Sequence, residues 1–169
     1  MVEKWVSTQA GRHLSGRRKK DTAPELLLRK ALHAAGLRFR LHRQLAKGCT
    51  PDIVLPSRRI AIFVDGCFWH GCPRHGRKTP WTGPNAELWR VKLERNHERD
   101  ARSTSIAKTH GWRVIRVWEC TVAKDVARVS LQIRDLGGRL GAEAVSSDQS
   151  RKGDEFIAAK DVDVEVRGR

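Results

Sequence analysis

No run of the 169 residues is long and apolar enough to span a bilayer, and the N-terminus carries no apolar leader. No membrane-spanning helix is expected, and the expected place of work is the cytoplasm. Cysteine is scarce, with four residues in all. In a reducing compartment these are not expected to form disulfides. No internal repeat is visible, and the length suits one domain with a single core. Acidic residues are also in deficit, 19 against 34 Lys and Arg, which gives a net charge of +15. The imbalance lies in residues 1–144, with 29 basic and 13 acidic side chains, whereas residues 145–169 hold five basic and six acidic ones. Such a field favours a polyanion, with nucleic acid as the default partner. The plain alternative is a basic protein with no such partner.

Residues 1–20 carry Arg12, His13, Arg17, Arg18, Lys19 and Lys20 with almost no apolar periodicity. They read as a basic arm that lies on phosphates or as a solvated terminus. Thr22-Ala-Pro-Glu25 has the form of a capping box. Leu28, Leu32 and Ala35 follow at helical spacing, and Gly36 ends the helix. Leu37 to His42 alternates as a short strand. Ile53–Leu55 and Ile60–Val64 read as core strands joined by a tight turn at Pro56-Ser57-Arg58. Gly66 to Pro84 is a long loop, of a length that is uncommon unless functional or stapled. A long helix is predicted from about Asn85 to His110, then a central strand Trp112–Trp118 and a last helix over 121–136. Beyond Gly137 the composition reads as a linker and a disordered tail. The expected organisation is an arm (1–20), one domain (21–136) and a tail (137–169). The element order predicts α/β/α layers around a small mixed sheet.

Chemistry-bearing residues crowd between Pro51 and His75. Cys67, Cys72 and His75 are spaced C-x4-C-x2-H, a soft set suited to tetrahedral zinc. Cys120 is the best candidate for the fourth ligand, because a neighbouring strand ending at Trp118 brings it beside the loop after Val64. Cys49 competes, from the opposite end of the first strand. A closed Cys3His site would be structural and would staple the loop. His70 also competes as a ligand. It is not needed by the zinc set, however, and an imidazole titrates near neutrality, where a general base should sit. The acids each have a structural reading: Asp52 as a turn residue, Glu25 as the capping glutamate, Asp65 in an Asp-Gly turn. Phe68 and Trp69 lie between ligands and can wedge between bases or pack around the zinc, and Trp89 can join either role.

Several segments together form an ordered set. They are Lys20 to Glu25, Leu37 to Arg40, Pro51 to Val54, Val64 to Pro73 with His75, Glu87 to Trp89, Asn96 to Asp100, and Gly111 to Cys120. The set spans about residues 12–135 and resembles the very short patch repair DNA mismatch endonucleases of bacteria, with Gly-Cys-Phe-Trp-His as its most specific element. The resemblance implies a restriction-endonuclease-like three-layer α/β/α fold, related to the PD-(D/E)xK enzymes, with a structural zinc site. It implies Asp52 and the backbone carbonyl of Val64 as ligands of a catalytic Mg2+, His70 as the base, and Glu25 as an acidic helper. It matches Cys67, Cys72, His75 and Cys120 to the zinc set, and Phe68, Trp69 and Trp89 to aromatics pushed into the duplex. Asn96 and Asp100 match a helix motif beside the DNA site. The implied activity is a nick 5′ to the T of a T:G mismatch left by deamination of 5-methylcytosine. A monomer acting on double-stranded DNA is expected, with other repair factors as possible partners. Lys47-Gly-Cys-Thr-Pro51 departs from the family's Gly-Arg-Pro, and the arm lacks its Arg-Asn-Met-like run. The competing readings are a zinc-stabilised DNA-binding module without catalysis and a related nuclease with another target.

Overall fold

The fold is taken from a computed structural model that describes residues 5–8, 12, 18 and 20–138. Most of the expected arm, and the tail past Gly138, lie outside the described residues. Helix α1 (Ala23–Ala34) is followed by strands β1 (Arg40–Leu41), β2 (Ile53–Leu55) and β3 (Ile60–Asp65). Then come the long helix α2 (Ala86–Thr109), strand β4 (Arg113–Trp118) and helices α3 (Glu119–Lys124) and α4 (Val126–Gly138). The strands form one sheet in the order β1-β2-β3-β4. β1 and β2, and β2 and β3, run antiparallel, whereas β3 and β4 run parallel, so the sheet is mixed. No helix among the described residues is long and apolar enough to cross a membrane.

The two-residue period of the strands divides the core into two faces. Ile60 and Ile62 of β3, with Ile115 and Val117 of β4, pack against Leu28 and Leu32 of α1, Val122 of α3, and Val129 and Ile133 of α4. Ala61, Phe63 and Val114 point the other way, onto Ala107 of α2 and the buried Cys49. The result is the three-layer arrangement that the element order predicts. Asp65 and Arg116 share this second face, so β3 and β4 direct charged groups at α2.

Three local expectations are revised. β4 stands at the edge of the sheet, although its apolar residues on both sides suggest a central strand. Helices cover both of its faces, so five of its six residues are buried. The last helix is two helices. The chain breaks at Asp125 (φ −155°, ψ 77°), and its Oδ1 accepts the Arg128 N–H at 2.9 Å, which caps α4. The capping box at α1 is also incomplete. Thr22 makes no side-chain cap bond, and Pro24 offers no N–H there. Thr22 instead donates its hydroxyl to Glu25 (2.9 Å), and Glu25 reaches back to the Asp21 N–H (3.1 Å).

Topology sets the position of the site. The antiparallel β2–β3 pair places Asp52, just before β2, beside the end of β3, and Asp52 N–H donates to the Ile62 carbonyl at 3.1 Å. The parallel β3–β4 pair places Asp65 opposite Trp118. The loop after β3 and the start of α3 therefore leave the sheet at the same end.

Candidate active site

A cleft of about 1250 Å³ opens at that end, and Glu25, Asp52, Val64, His70 and Asp100 line it. Asp52 accepts the Val64 N–H at 2.8 Å through Oδ2. Burial is the main cause that pushes its carboxyl up from 3.8 to about 6, with the Glu25 charge adding and the Val64 bond opposing. Among the described residues no Lys or Arg forms an ion pair with it. A partly buried carboxylate with no cation on it, in an open cleft, fits a hard metal ion that prefers oxygen ligands.

Glu25 is 4% exposed and bonded to Arg29 at 3.0 Å, and Arg29 also pairs with Asp21. It therefore faces the cleft with its charge offset.

His70 is fixed from two sides. Its N–H and that of Trp69 both donate to the Gly66 carbonyl at 3.1 Å, so the chain turns sharply after β3. Helix α2 holds the outer side of this turn. Asn96 Nδ2 donates to the Trp69 carbonyl and His97 Nε2 donates to the His70 carbonyl, both at 3.0 Å. A β-carbon at Gly71, whose φ is +71°, would stand 3.1 Å from that His97 nitrogen. Asp100 Oδ2 lies 2.5 Å from His70 Nδ1. Burial raises the Asp100 pKa, but the His70 bond and the Arg116 charge outweigh it, and the net shift is downward. An ionised Asp100 accepts a hydrogen bond from the Nδ1–H of His70, which leaves Nε2 as the acceptor. Asn96 and Asp100 thus each have a partner within the chain.

Behind Asp100 lies a buried ion network. Arg116 is 7% exposed, pairs with both oxygens of Asp65, and reaches Asp100 Oδ1 at 3.0 Å. Its guanidinium lies over the Phe63 ring at 4.8 Å. Burial alone would lower the Arg116 pKa, but the two carboxylates reverse this and raise it. Asp65, readable as a turn acid, is the last residue of β3 and one half of this pair.

Cys67, Cys72, His75 and Cys120 form a second cluster, with all four ligand atoms within 4.8 Å of one another. Cys72 and Cys120 sulfurs are 3.8 Å apart, and His75 Nδ1 is 3.9 Å from both Cys67 and Cys72. A disulfide needs about 2.05 Å. A tetrahedron with metal–sulfur bonds of about 2.3 Å has edges of about 3.8 Å. The donor set and its spacing therefore fit a closed tetrahedral metal. The loop is tight here: a β-carbon at Gly76 would lie 2.5 Å from the Cys72 carbonyl. Glu119 accepts the Cys67 N–H at 2.8 Å and ties the loop to α3. Cys49 stays apart in the core under α2, and His70 is turned toward Asp100.

The aromatics form a third group. Phe68 packs edge-on against Trp69, Trp81 and Trp89 at 5.0, 6.0 and 5.6 Å. Trp81 stacks on Trp89 at 5.1 Å, and Lys92 places its ammonium 4.8 Å from the Trp69 ring. Trp81, Lys92, Glu119 and the Asp65–Arg116 pair are the contributors that sequence reasoning missed. The arginine interrupting the apolar run of β4 was the one available signal for the pair.

A model of the family described as DNA mismatch endonuclease Vsr matches residues 5–75. The chain is 43% identical over 120 residues to the Type II nicking enzyme V.XorIIP of Xanthomonas oryzae pv. oryzae, covering 70% of this chain and 85% of that one. It is 41% identical over 103 residues to the DNA mismatch endonuclease Vsr of Escherichia coli, covering 61% and 64%. The Homing Endonuclease I-Bth0305I Catalytic Domain superposes with a TM-score of 0.47 at 19% identity, covering 70% of this chain and 97% of that one.

Proposed function

Since the chain belongs to the Vsr family of DNA mismatch endonucleases, we propose that it makes a magnesium-dependent nick 5′ to the T of T:G mismatches, such as those that deamination of 5-methylcytosine leaves. The observation that carries this reading is the convergence of Asp52 and the His70–Asp100 pair in one cleft beside a cluster of aromatic rings. A module that only binds DNA needs neither. The three-layer mixed-sheet fold is read as restriction-endonuclease-like on the same grounds.

Asp52 and the Val64 carbonyl would hold the magnesium ion, which when bound neutralises charge growing on the phosphate. Asp100 keeps the His70 proton on Nδ1 and leaves Nε2 to take a proton from water. That water attacks phosphorus, the P–O3′ bond breaks, the departing O3′ takes a proton from solvent water, and the strand is left with a 3′-hydroxyl and a 5′-phosphate. Asn96 and His97 hold the loop so that the imidazole cannot swing away. Glu25 helps to orient water or His70. Phe68, Trp69 and Trp89 enter the duplex beside the mismatch. Unstacking costs a few kcal/mol and least at a mispaired step, which favours mismatched sites. A monomer suffices for a nick in one strand, and a bacterial cytoplasm is the fitting compartment.

The test uses end-labelled duplexes with T:G or T:A at one position. Nicking of T:G alone is expected in Mg2+, none in its absence, and a loss of about 10²–10⁴-fold in His70→Ala. Tight binding with no cut in Mg2+ would support the non-catalytic module instead.

Zinc is the proposed occupant of the Cys67–Cys72–His75–Cys120 cluster, with a structural role. Elemental analysis should find one zinc per chain. Cys120→Ser should lose that zinc and expose the 66–84 loop to proteases. Retention of a full complement by Cys120→Ser would remove this cysteine from the ligand set.

A further inference from the structure

We propose that Trp5 is the outermost ring of the base-contacting platform and that Asn85 holds it there, so that residues 5–8 help to read an unstacked base. This rests on the reading of Phe68, Trp69 and Trp89 as duplex-entering rings. Trp5 stands edge-on to Trp89 at 5.0 Å and 80°. Lys92, on the next turn of α2, joins the rings, with its ammonium 5.4 Å from Trp5, 4.8 Å from Trp69 and 5.2 Å from Trp89. It also lines the catalytic cleft, so the platform and the cleft are continuous.

The attachment is built. Asn85 is 6% exposed and binds both backbone groups of Val6: the Val6 N–H donates to Oδ1 at 2.9 Å and Nδ2 donates to the Val6 carbonyl at 2.7 Å. Asn85 occupies the N-cap position of α2, yet makes no side-chain cap bond there. Asparagine normally stabilises a helix start from that position. Here both ends of its amide serve a segment 79 residues away.

Exposure assigns the role. Phe68, Trp69, Trp81 and Trp89 are half-buried against one another, whereas Trp5 is 47% exposed. It is the aromatic that an approaching base meets first. The overall charge of +15 and the Lys92 ammonium favour the phosphates that flank such a base. A flat ring offers any unpaired base a stacking surface, worth roughly tenfold in affinity.

The test measures binding without turnover. Full-length protein is titrated, in buffer without Mg2+, into duplexes carrying 2-aminopurine beside a T:G or T:A step. Fluorescence reports unstacking. Trp5→Ala should weaken binding to the T:G duplex by roughly tenfold and reduce the unstacking signal in proportion, with binding to the T:A duplex unchanged. Trp5→Phe should restore most of both. Asn85→Ala should reproduce the defect with the ring still present, and circular dichroism shows that each variant is folded. Unchanged binding in Trp5→Ala overturns the proposal. A stronger unstacking signal also overturns it, since Trp5 would then be a cover over the other rings. Failure of the intact protein to nick T:G in Mg2+ sinks the catalytic reading and leaves this binding result standing.

Discussion

Asp52→Asn should abolish nicking and, in the same preparation, raise the melting temperature in magnesium-free buffer at pH 7.5. The two effects share one cause. Burial lifts the Asp52 carboxyl from 3.8 to about 6, so the native state binds the proton more tightly than the unfolded chain does. Stability from this group is therefore present at low pH and lost as pH rises from about 3.8 through about 6. Above pH 6 the folded protein carries a charge that it would rather not hold. The shift is equivalent to about 3 kcal/mol, and partial contact with water trims it to roughly 2 kcal/mol. Asparagine can still accept the Val64 N–H and carries no charge. The expected gain is about 4–8 °C for a chain of this size. The gain should disappear below pH 4, where the aspartate is already neutral. Loss of nicking should exceed about 100-fold, the upper range for removing a mere supporting partner of a metal ligand. Calorimetry at pH 7.5 and pH 4, beside a nicking assay, decides it. A variant that is inactive but no more stable would mean that Asp52 is better solvated than the fold implies.

Arg116→Met carries the second large effect, in the opposite direction. It removes the guanidinium between Asp65 and Asp100 and leaves the buried Asp65 and the half-buried Asp100 without that cation. Breaking one side of such a network costs about 3–5 kcal/mol, which is a fall of roughly 10 °C. Nicking should fall as well, because Asp100 would lose the contact that fixes it against His70. Asp65→Asn combined with Arg116→Met should recover part of the stability, since one of the stranded charges is gone. Recovery of stability without recovery of nicking is the expected pattern, because Asp100 would still be unsupported. Thermal melts and nicking rates of the two variants, taken side by side, measure both halves. Equal melting temperatures for the single and double variants would show that Asp65 and Arg116 do not act as a pair.

The parts of the site that were legible in the sequence are those that lie close together along the chain. Cys67, Cys72 and His75 declare themselves by spacing, and Phe68-Trp69-His70 stands out because apolar rings and an imidazole seldom crowd a polar loop. The place of Cys120 follows from an assumed neighbouring strand, and the parallel β3–β4 ladder supplies that neighbour. Other contributors arrive from distant segments. Trp5 reaches the rings through an N-terminal segment that a side-chain amide holds at the start of α2, Trp81 through the loop after β3, and Lys92 through α2. Arg116 shares a strand face with Trp112 and Val114, and its ion partners arrive from β3 and α2, which the alternation of the strand does not identify. Strand order is a matter of global packing, so the edge position of β4 has no local signature. The break at Asp125 needs only one residue with extended backbone angles, which helical periodicity passes over.

The parallel pairing of β3 with β4 also limits how this chain can vary. Arg116 lies in β4 and Cys120 just past its end, on the second residue of α3, one directed to the ion network and the other to the sulfur cluster. Inserting or deleting one residue between Arg113 and Arg116 would shift the chain that follows by about 3.3 Å, turning Arg116 to the opposite face and displacing Cys120 at the start of α3. Both centres would fail in a single step. Lineages descended from this sequence should therefore tolerate changes of length in surface turns while keeping the length of this strand fixed.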